Sequence, residues 1–230
     1  MMIKLKDNAI GNIVVLAIVV AIAAGGLATG LFVGHLSTNL PIEQTQGKTG
    51  ASSSGSFQLI LVITTNNYYN ASVGDQPAFF VLQNGTLQSA ANITIPANQK
   101  IEMTIIDYDD GNGSVASIYA NVTGTLNGKE TIVNNTNVNS TNANNQIAVN
   151  GSEQVSSVPV ENIAHTFTVQ NGSNIILNIP IEPSSVVQAT FELGPGSYTW
   201  QCEVACGSGS TGWQGAMDSP GWMTGTLTAN

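Results

Sequence analysis

Both cysteines of the chain lie close together, in the segment Tyr-Thr-Trp-Gln-Cys202-Glu-Val-Ala-Cys206-Gly. In an exported protein, two neighbouring cysteines either form a disulfide or bind a metal as thiolates. A disulfide across this spacing requires Cα atoms within about 7 Å of each other, and so small a loop adds little stability. The pair therefore leaves both a Cys202–Cys206 disulfide and a metal site open.

One histidine and two methionines extend the set of possible metal donors. His165 alternates with Phe167 in Ala-His-Thr-Phe-Thr-Val, which predicts a strand with an inward-facing imidazole. Met217 and Met223 follow the second cysteine in a Gly-rich loop. Thiolate, imidazole and thioether together are the donors that select copper. An inward histidine can equally be a core residue, and either methionine can fill the core.

The elements that must position these residues are predicted to be strands. Short β-branched or aromatic segments, separated by Asn, Gly and Pro, indicate a mainly β sandwich or barrel. The predicted strands are Gln58–Thr64, Pro77–Leu82, Asn92–Pro96, Lys100–Asp107, Ser117–Val122, Ala164–Val169, Asn174–Ile181, Val186–Leu193, Ser197–Cys202 and Trp222–Thr228. The polar, Asn-rich stretch at about 124–158 has few hydrophobic residues and is predicted to be a solvated insertion outside the core.

A single membrane helix is predicted at residues 13–34, which are apolar and long enough to cross a bilayer. Lysines precede this segment and cations are rare after it, so residues 1–12 are expected in the cytoplasm. Residues 35–57 are rich in Ser, Gly and Thr and indicate a flexible linker. Residues 58–230 then form an extracellular domain of a single-pass protein of the cell membrane. A cleavable signal and a pilin-like assembly helix are the alternatives.

The composition excludes some partners and suggests a modification. With 5 Lys+Arg, 14 Asp+Glu and a net charge of -9, the chain lacks the cations that bind nucleic acid. Asn-x-Ser/Thr sequons, all after the apolar segment, are candidates for glycosylation if the domain is exported. They begin at Asn70, Asn84, Asn92, Asn112, Asn121, Asn134, Asn139, Asn150 and Asn171. Compositional bias toward Asn is the alternative explanation.

Two further residue groups have structural and functional interpretations. Asp107, Asp109 and Asp110 precede Gly-Asn-Gly, which indicates a turn and lacks the spacing of a recognised Ca²⁺ loop. Trp213 and Trp222 stand in the loop after the cysteines. Exposed, they would suit docking to a partner protein, whereas buried tryptophans would hold the loop against the sandwich.

The order of these features resembles the cupredoxins, and more narrowly the copper-A domain of cytochrome c or quinol oxidase subunit II with one N-terminal membrane helix. The specific part is Cys-x-x-x-Cys-Gly, from Cys202, followed by a methionine shortly before a closing Gly-Thr strand. A strand containing His165 and the sequence Pro-Gly-Ser-Tyr198 precede it. The resemblance spans roughly residues 90–230 without the insertion, and implies a Greek-key β-sandwich after the membrane helix.

The resemblance also implies a set of copper ligands. They are the side chains of His165, Cys202, Cys206 and Met223 and the backbone carbonyl of Val204. The family's second histidine would stand four residues after the second cysteine, where this chain has Ser210. Met217, Gln214, Asp218 or water would have to replace it. Copper could then be binuclear, mononuclear or absent.

Two functions follow from this comparison. The first is outer-sphere electron transfer by a subunit II-like component of a haem–copper terminal oxidase, not catalytic by itself. Its partners would be oxidase subunit I and a donor such as a small cupredoxin, a cytochrome or a quinol. The second is a metal-free, glycosylated surface or filament protein that keeps the fold and closes a Cys202–Cys206 disulfide. No hydrolase arrangement has support, because the outer part of the chain contains one histidine, His165.

Overall fold

The computed structural model of the protein describes residues 55–65, 76–111, 113–133 and 152–230. Among these residues, none belongs to a helix long and apolar enough to cross a membrane. The predicted membrane helix at 13–34 and most of the linker at 35–57 lie outside the described residues. The same is true of the sequons at Asn70, Asn112, Asn134, Asn139 and Asn150.

The described part of the chain forms two β-sheets. The strands are β1 (Phe57–Thr64), β2 (Ala78–Gln83), β3 (Thr86–Ser89), β4 (Asn92–Ile95), β5 (Ile101–Asp107), β6 (Glu130–Val133), β7 (Ser152–Val155), β8 (His165–Asn171), β9 (Asn174–Ile181), β10 (Val186–Phe191), β11 (Gly196–Gln201) and β12 (Thr224–Ala229). One sheet has the order β3-β2-β1-β5-β10-β6-β7, and the other has the order β4-β12-β11-β8-β9. The prediction of a mainly β, two-sheet sandwich is confirmed.

An aromatic cluster fills the space between the two sheets. Phe79 on β2 packs at 5.2 Å from Trp200 on β11 and at 6.0 Å from Phe167 on β8, measured between ring centroids. All three side chains are fully buried, and such pairs contribute about 0.5–1.5 kcal/mol each beyond their buried area. The indole N–H of Trp200 donates to the carbonyl of Ala90 at 2.9 Å. This cluster fixes the ends of β8 and β11, which carry the candidate ligands.

Most predicted strands are present, and the one at Ser117–Val122 is wrong. Residues Ser117–Ala120 form a short 3-10 helix instead. The buried amide of Asn178, on β9, donates to the carbonyls of Tyr119 (2.9 Å) and Asn121 (2.8 Å). These bonds satisfy carbonyl groups that a neighbouring strand would otherwise satisfy, so the segment needs no place in a sheet.

Three strands are absent from the sequence prediction. β3 is a mostly exposed strand joined to β2 by Asn84 and Gly85, which both have positive φ angles (51° and 72°). Such a pair is the usual signal of a two-residue hairpin turn. β6 and β7 pair with each other within the predicted insertion at 124–158, and β6 also pairs with β10. Ile132 and Val133 are buried, so these few hydrophobic residues anchor the start of the insertion to the sheet.

Candidate metal centre

The end of β11 and the start of β8 bring the three strongest donor side chains together. β8 and β11 are antiparallel neighbours, with Gln201 opposite Thr168. Cys202, which follows β11, therefore lies beside His165, the first residue of β8. The loop after Cys202 returns Cys206 to the same place. The donor atoms of these three residues all lie within 4.8 Å of one another.

Two of the three distances between the donor atoms match those of a tetrahedral metal site, and the third, from His165 Nδ1 to Cys206 Sγ, is shorter. His165 Nδ1 is 3.1 Å from Cys206 Sγ and 3.8 Å from Cys202 Sγ, and the two sulfur atoms are 3.7 Å apart. With the bond lengths of zinc, about 2.3 Å to sulfur and about 2.0 Å to nitrogen, tetrahedral angles place donors about 3.5–3.8 Å apart. Two soft sulfurs and one imidazole suit copper as well as zinc.

The backbone holds the cysteine loop in a defined shape. The N–H of Cys202 donates to the carbonyl of Met223 at 2.8 Å, and the N–H of Cys206 donates to the carbonyl of Val204 at 2.9 Å. The Val204 carbonyl oxygen is 3.8 Å from Cys202 Sγ. The predicted backbone donor therefore lies beside the sulfur pair.

The two methionines are buried near this loop. The fully buried Met223 lies next to the site through its backbone bond to Cys202. The side chain of Met217 is also buried and lies close to Gly207, directly after Cys206. By contrast, Gln214 and Asp218, the other side chains considered as replacements for the second histidine, are exposed, as is Ser210 at the position of that histidine. Of the three replacement side chains considered, Met217 is the buried one.

The structure adds a residue that the sequence interpretation treated only as part of a turn. Asp109 Oδ2 is 3.0 Å from His165 Nε2, on the side of the ring opposite the sulfurs. The turn is also present, because the N–H of Asp109 donates to Asp107 Oδ1 at 2.8 Å and that of Gly111 donates to Asp109 Oδ1 at 3.0 Å. The sequence places Asp107 at the end of an apolar strand, but the full burial of that carboxyl group, and with it the need for polar partners, is visible only in the structure.

Burial and close charges shift the pKa values in the centre. Burial alone would lower the pKa of His165, but Asp109 and Cys202 raise it to about 10. Burial also opposes ionisation of Cys202, yet the hydrogen bonds from Cys206 and His165 lower the pKa of Cys202 well below its usual range. The pKa of Cys206 is raised, mainly because its thiol donates to the Cys202 sulfur.

Burial raises the pKa of Asp107 to about 7, while the charge of His165 acts in the opposite direction. Asp107 Oδ2 has no hydrogen-bond partner among the described residues. Asp109 behaves differently, because its hydrogen bond with His165 lowers its pKa. The ionised carboxylate beside the imidazole is therefore that of Asp109.

The two cysteine sulfurs bear on the predicted disulfide. Both cysteines are free, with Cys202 buried and Cys206 partly exposed, so the Cys202–Cys206 disulfide stays a prediction.

The two tryptophans of the loop differ in exposure. Trp222 is buried and its carbonyl accepts a hydrogen bond from Phe79 N–H at 2.9 Å, which holds the loop to the sandwich. Trp213 is 40% exposed. Of the two tryptophans, Trp213 is therefore the one available for docking.

The sequons within the described residues begin at exposed positions. These are Asn84, Asn92, Asn121 and Asn171. Glycosylation at them stays a prediction.

Comparison with known proteins gives low similarities. No family model matches the sequence, and no curated protein matches it. Solved structures similar to the chain include a rusticyanin variant (12% identity, TM-score 0.38, covering 77% of this chain and 80% of that chain). Auracyanin B has 13% identity and a TM-score of 0.32, covering 78% of this chain and 93% of that chain. A multicopper oxidase has 9% identity and a TM-score of 0.33, covering 76% of this chain and 44% of that chain. No family membership follows from similarities this low.

Proposed function

We propose that the chain is a copper-binding electron-transfer protein of the cupredoxin type. The observation that carries this proposal is the convergence of His165 Nδ1 and the sulfurs of Cys202 and Cys206 within 4.8 Å. Copper, when bound there, supplies a one-electron couple, and soft sulfur donors with an imidazole suit both of its oxidation states. The chain itself makes and breaks no substrate bond.

The protein's contribution would be to hold the donors rigidly and away from water. Cys202 and His165 are 0% and 1% exposed. The N–H of Thr166 lies 3.5 Å from Cys202 Sγ, within reach of a hydrogen bond to the sulfur. Such bonds and the surrounding apolar side chains tune a metal's potential. Cys206 is the partly exposed donor, so electrons would enter or leave on its side of the centre.

The finer proposal is a subunit II-like component of a haem–copper terminal oxidase. The Cys-x-x-x-Cys-Gly spacing and the Val204 carbonyl beside Cys202 Sγ support it, whereas Ser210 in place of the second histidine weighs against a binuclear centre. In this proposal, residues 13–34 anchor the chain in the cell membrane and the β-domain lies outside. Oxidase subunit I and a cupredoxin, cytochrome or quinol donor are the partners. Co-purification with subunit I would support this role, and self-assembly into filaments would contradict it.

A titration with copper(II), after the cysteines of the protein have been reduced to thiols, tests the copper site. We expect intense sulfur-to-copper charge-transfer absorption at one or two equivalents, lost in Cys202→Ser and in His165→Ala. Ser210→Ala, a change at an exposed position of the same loop, is the matched control and should leave the bands unchanged. Absence of the bands, with both sulfurs unreactive toward thiol reagents before reduction, would instead indicate the metal-free alternative with a Cys202–Cys206 disulfide. Binding of zinc without copper would also refute electron transfer.

A further inference from the structure

The imidazole of His165 is held at both of its nitrogen atoms. Nε2 lies 3.0 Å from Asp109 Oδ2, and Nδ1 lies 3.1 Å from Cys206 Sγ on the opposite side of the ring. A carboxylate can only accept a hydrogen bond, so Nε2 must carry the proton of this contact. Nδ1 is then the nitrogen that faces the sulfurs and can bind a metal.

Asp109 is itself fixed by the segment around it. Its Oδ1 accepts a hydrogen bond from the N–H of Gly111 at 3.0 Å, and its own N–H donates to Asp107 Oδ1 at 2.8 Å. Its carbonyl accepts from the N–H of Ser184 at 2.8 Å. These contacts come from the segment after β5 and the one before β10. The carboxylate is therefore held by the fold independently of any metal.

We propose that Asp109 is the positioning residue of this centre, which keeps Nδ1 of His165 directed toward Cys202 and Cys206. The inference rests on the copper function proposed above. Partners that hold the second nitrogen of a metal-binding histidine fix its orientation and raise its basicity. The negative charge of Asp109 also favours the more highly charged, oxidised copper, so removing that charge raises the reduction potential.

The position of the ring can be tested without metal. Replacing His35 by Gln leaves His165 as the one imidazole of the chain, so nitrogen-15 NMR reports on this ring alone. We expect a slowly exchanging Nε2–H signal that is lost in Asp109→Ala and kept in Asp110→Ala, the matched change at an exposed neighbour. A signal that survives in Asp109→Ala would overturn the proposal.

The effect on the metal is measured by competition with a copper(I) chelator and by redox titration. Asp109→Ala should weaken copper(I) binding by about 10- to 100-fold relative to Asp110→Ala. Asp109→Asn keeps an oxygen acceptor for Nε2–H, so it should retain most of the affinity and raise the reduction potential. The Asp109→Asn variant also provides the test if Asp109→Ala does not fold.

Equal affinities in Asp109→Ala and Asp110→Ala would overturn the inference. The inference would also be overturned if Asp109→Asn bound copper(I) as weakly as Asp109→Ala. The affinity would then depend on the charge of Asp109 and not on its hydrogen bond. If the unmodified protein binds no copper, the copper function fails, while the NMR measurement still decides the role of Asp109.

Discussion

A buried carboxyl group that is not among the candidate metal donors should make the protein more stable in acid. Glu130 on β6 is 1% exposed, and neither of its carboxyl oxygens has a hydrogen-bond partner among the described residues. Burial, with a smaller contribution from the charge of Glu182, raises the pKa of Glu130 from 4.5 to about 9. The folded state therefore keeps the proton over a range in which the unfolded chain has lost it.

The sign and size of the effect follow from this difference. The contribution of Glu130 to stability is fully present below pH 4.5 and is lost progressively as the pH rises toward about 9. Each pH unit in that range costs about 1.4 kcal/mol, so the loss at neutral pH is on the order of 3 kcal/mol. Asp107, whose pKa is raised to about 7, adds its own slope at lower pH. A comparison of variants is therefore needed to isolate Glu130.

The assay is urea unfolding, followed by tryptophan fluorescence, at several values between about pH 4 and about pH 8. Glu130→Gln cannot ionise, so its free energy of unfolding should fall much less with pH than that of the unmodified protein. Glu192→Gln, a change at an exposed position, should keep the original slope. Parallel curves for the unmodified protein and Glu130→Gln, whatever their absolute offset, would contradict a raised pKa of Glu130 in the folded protein.

Two further predictions concern the packing that supports the centre. A Cβ at Gly225 would lie 2.5 Å from the indole nitrogen of Trp200 and 2.8 Å from the carbonyl oxygen of Ala90. Gly225→Ala should therefore displace the indole and destabilise the fold by about 1–3 kcal/mol, with a shifted tryptophan emission; unchanged emission and stability would contradict this packing. Asn178→Ala removes both bonds to the segment at 117–121 and should cost about 1–3 kcal/mol. In this variant, amide hydrogen exchange in residues 117–121 should become faster. Unchanged exchange would contradict the dependence of this segment on Asn178.

Local sequence patterns predicted most of the strands and the histidine and cysteine donors of the candidate site. The alternation around His165 correctly indicated a strand with an inward imidazole, because side chains alternate between the two faces of a strand. The short, polar β3 and β7 escaped prediction, since their residues form hydrogen bonds at sheet edges with little burial. The 3-10 helix at Ser117–Ala120 depends on the amide of Asn178, more than fifty residues later, so no local pattern could reveal it.

The same reasoning explains why Asp109 was interpreted only as part of a turn. Its local hydrogen bonds with Asp107 and Gly111 do form that turn. Its bond to His165 joins residues 56 positions apart and depends on how the segment after β5 lies against the start of β8. The donor set was therefore predictable from residue types, whereas the support of its histidine required the tertiary arrangement.

In the proposed centre, two sulfurs and one imidazole bind the same copper ion. X-ray absorption at the copper edge measures the neighbours of the metal directly. For the copper-loaded protein we predict a shell of two sulfur atoms with one imidazole nitrogen, reduced to one sulfur in Cys206→Ser. A spectrum with only nitrogen and oxygen neighbours, or one unchanged in Cys206→Ser, would contradict it.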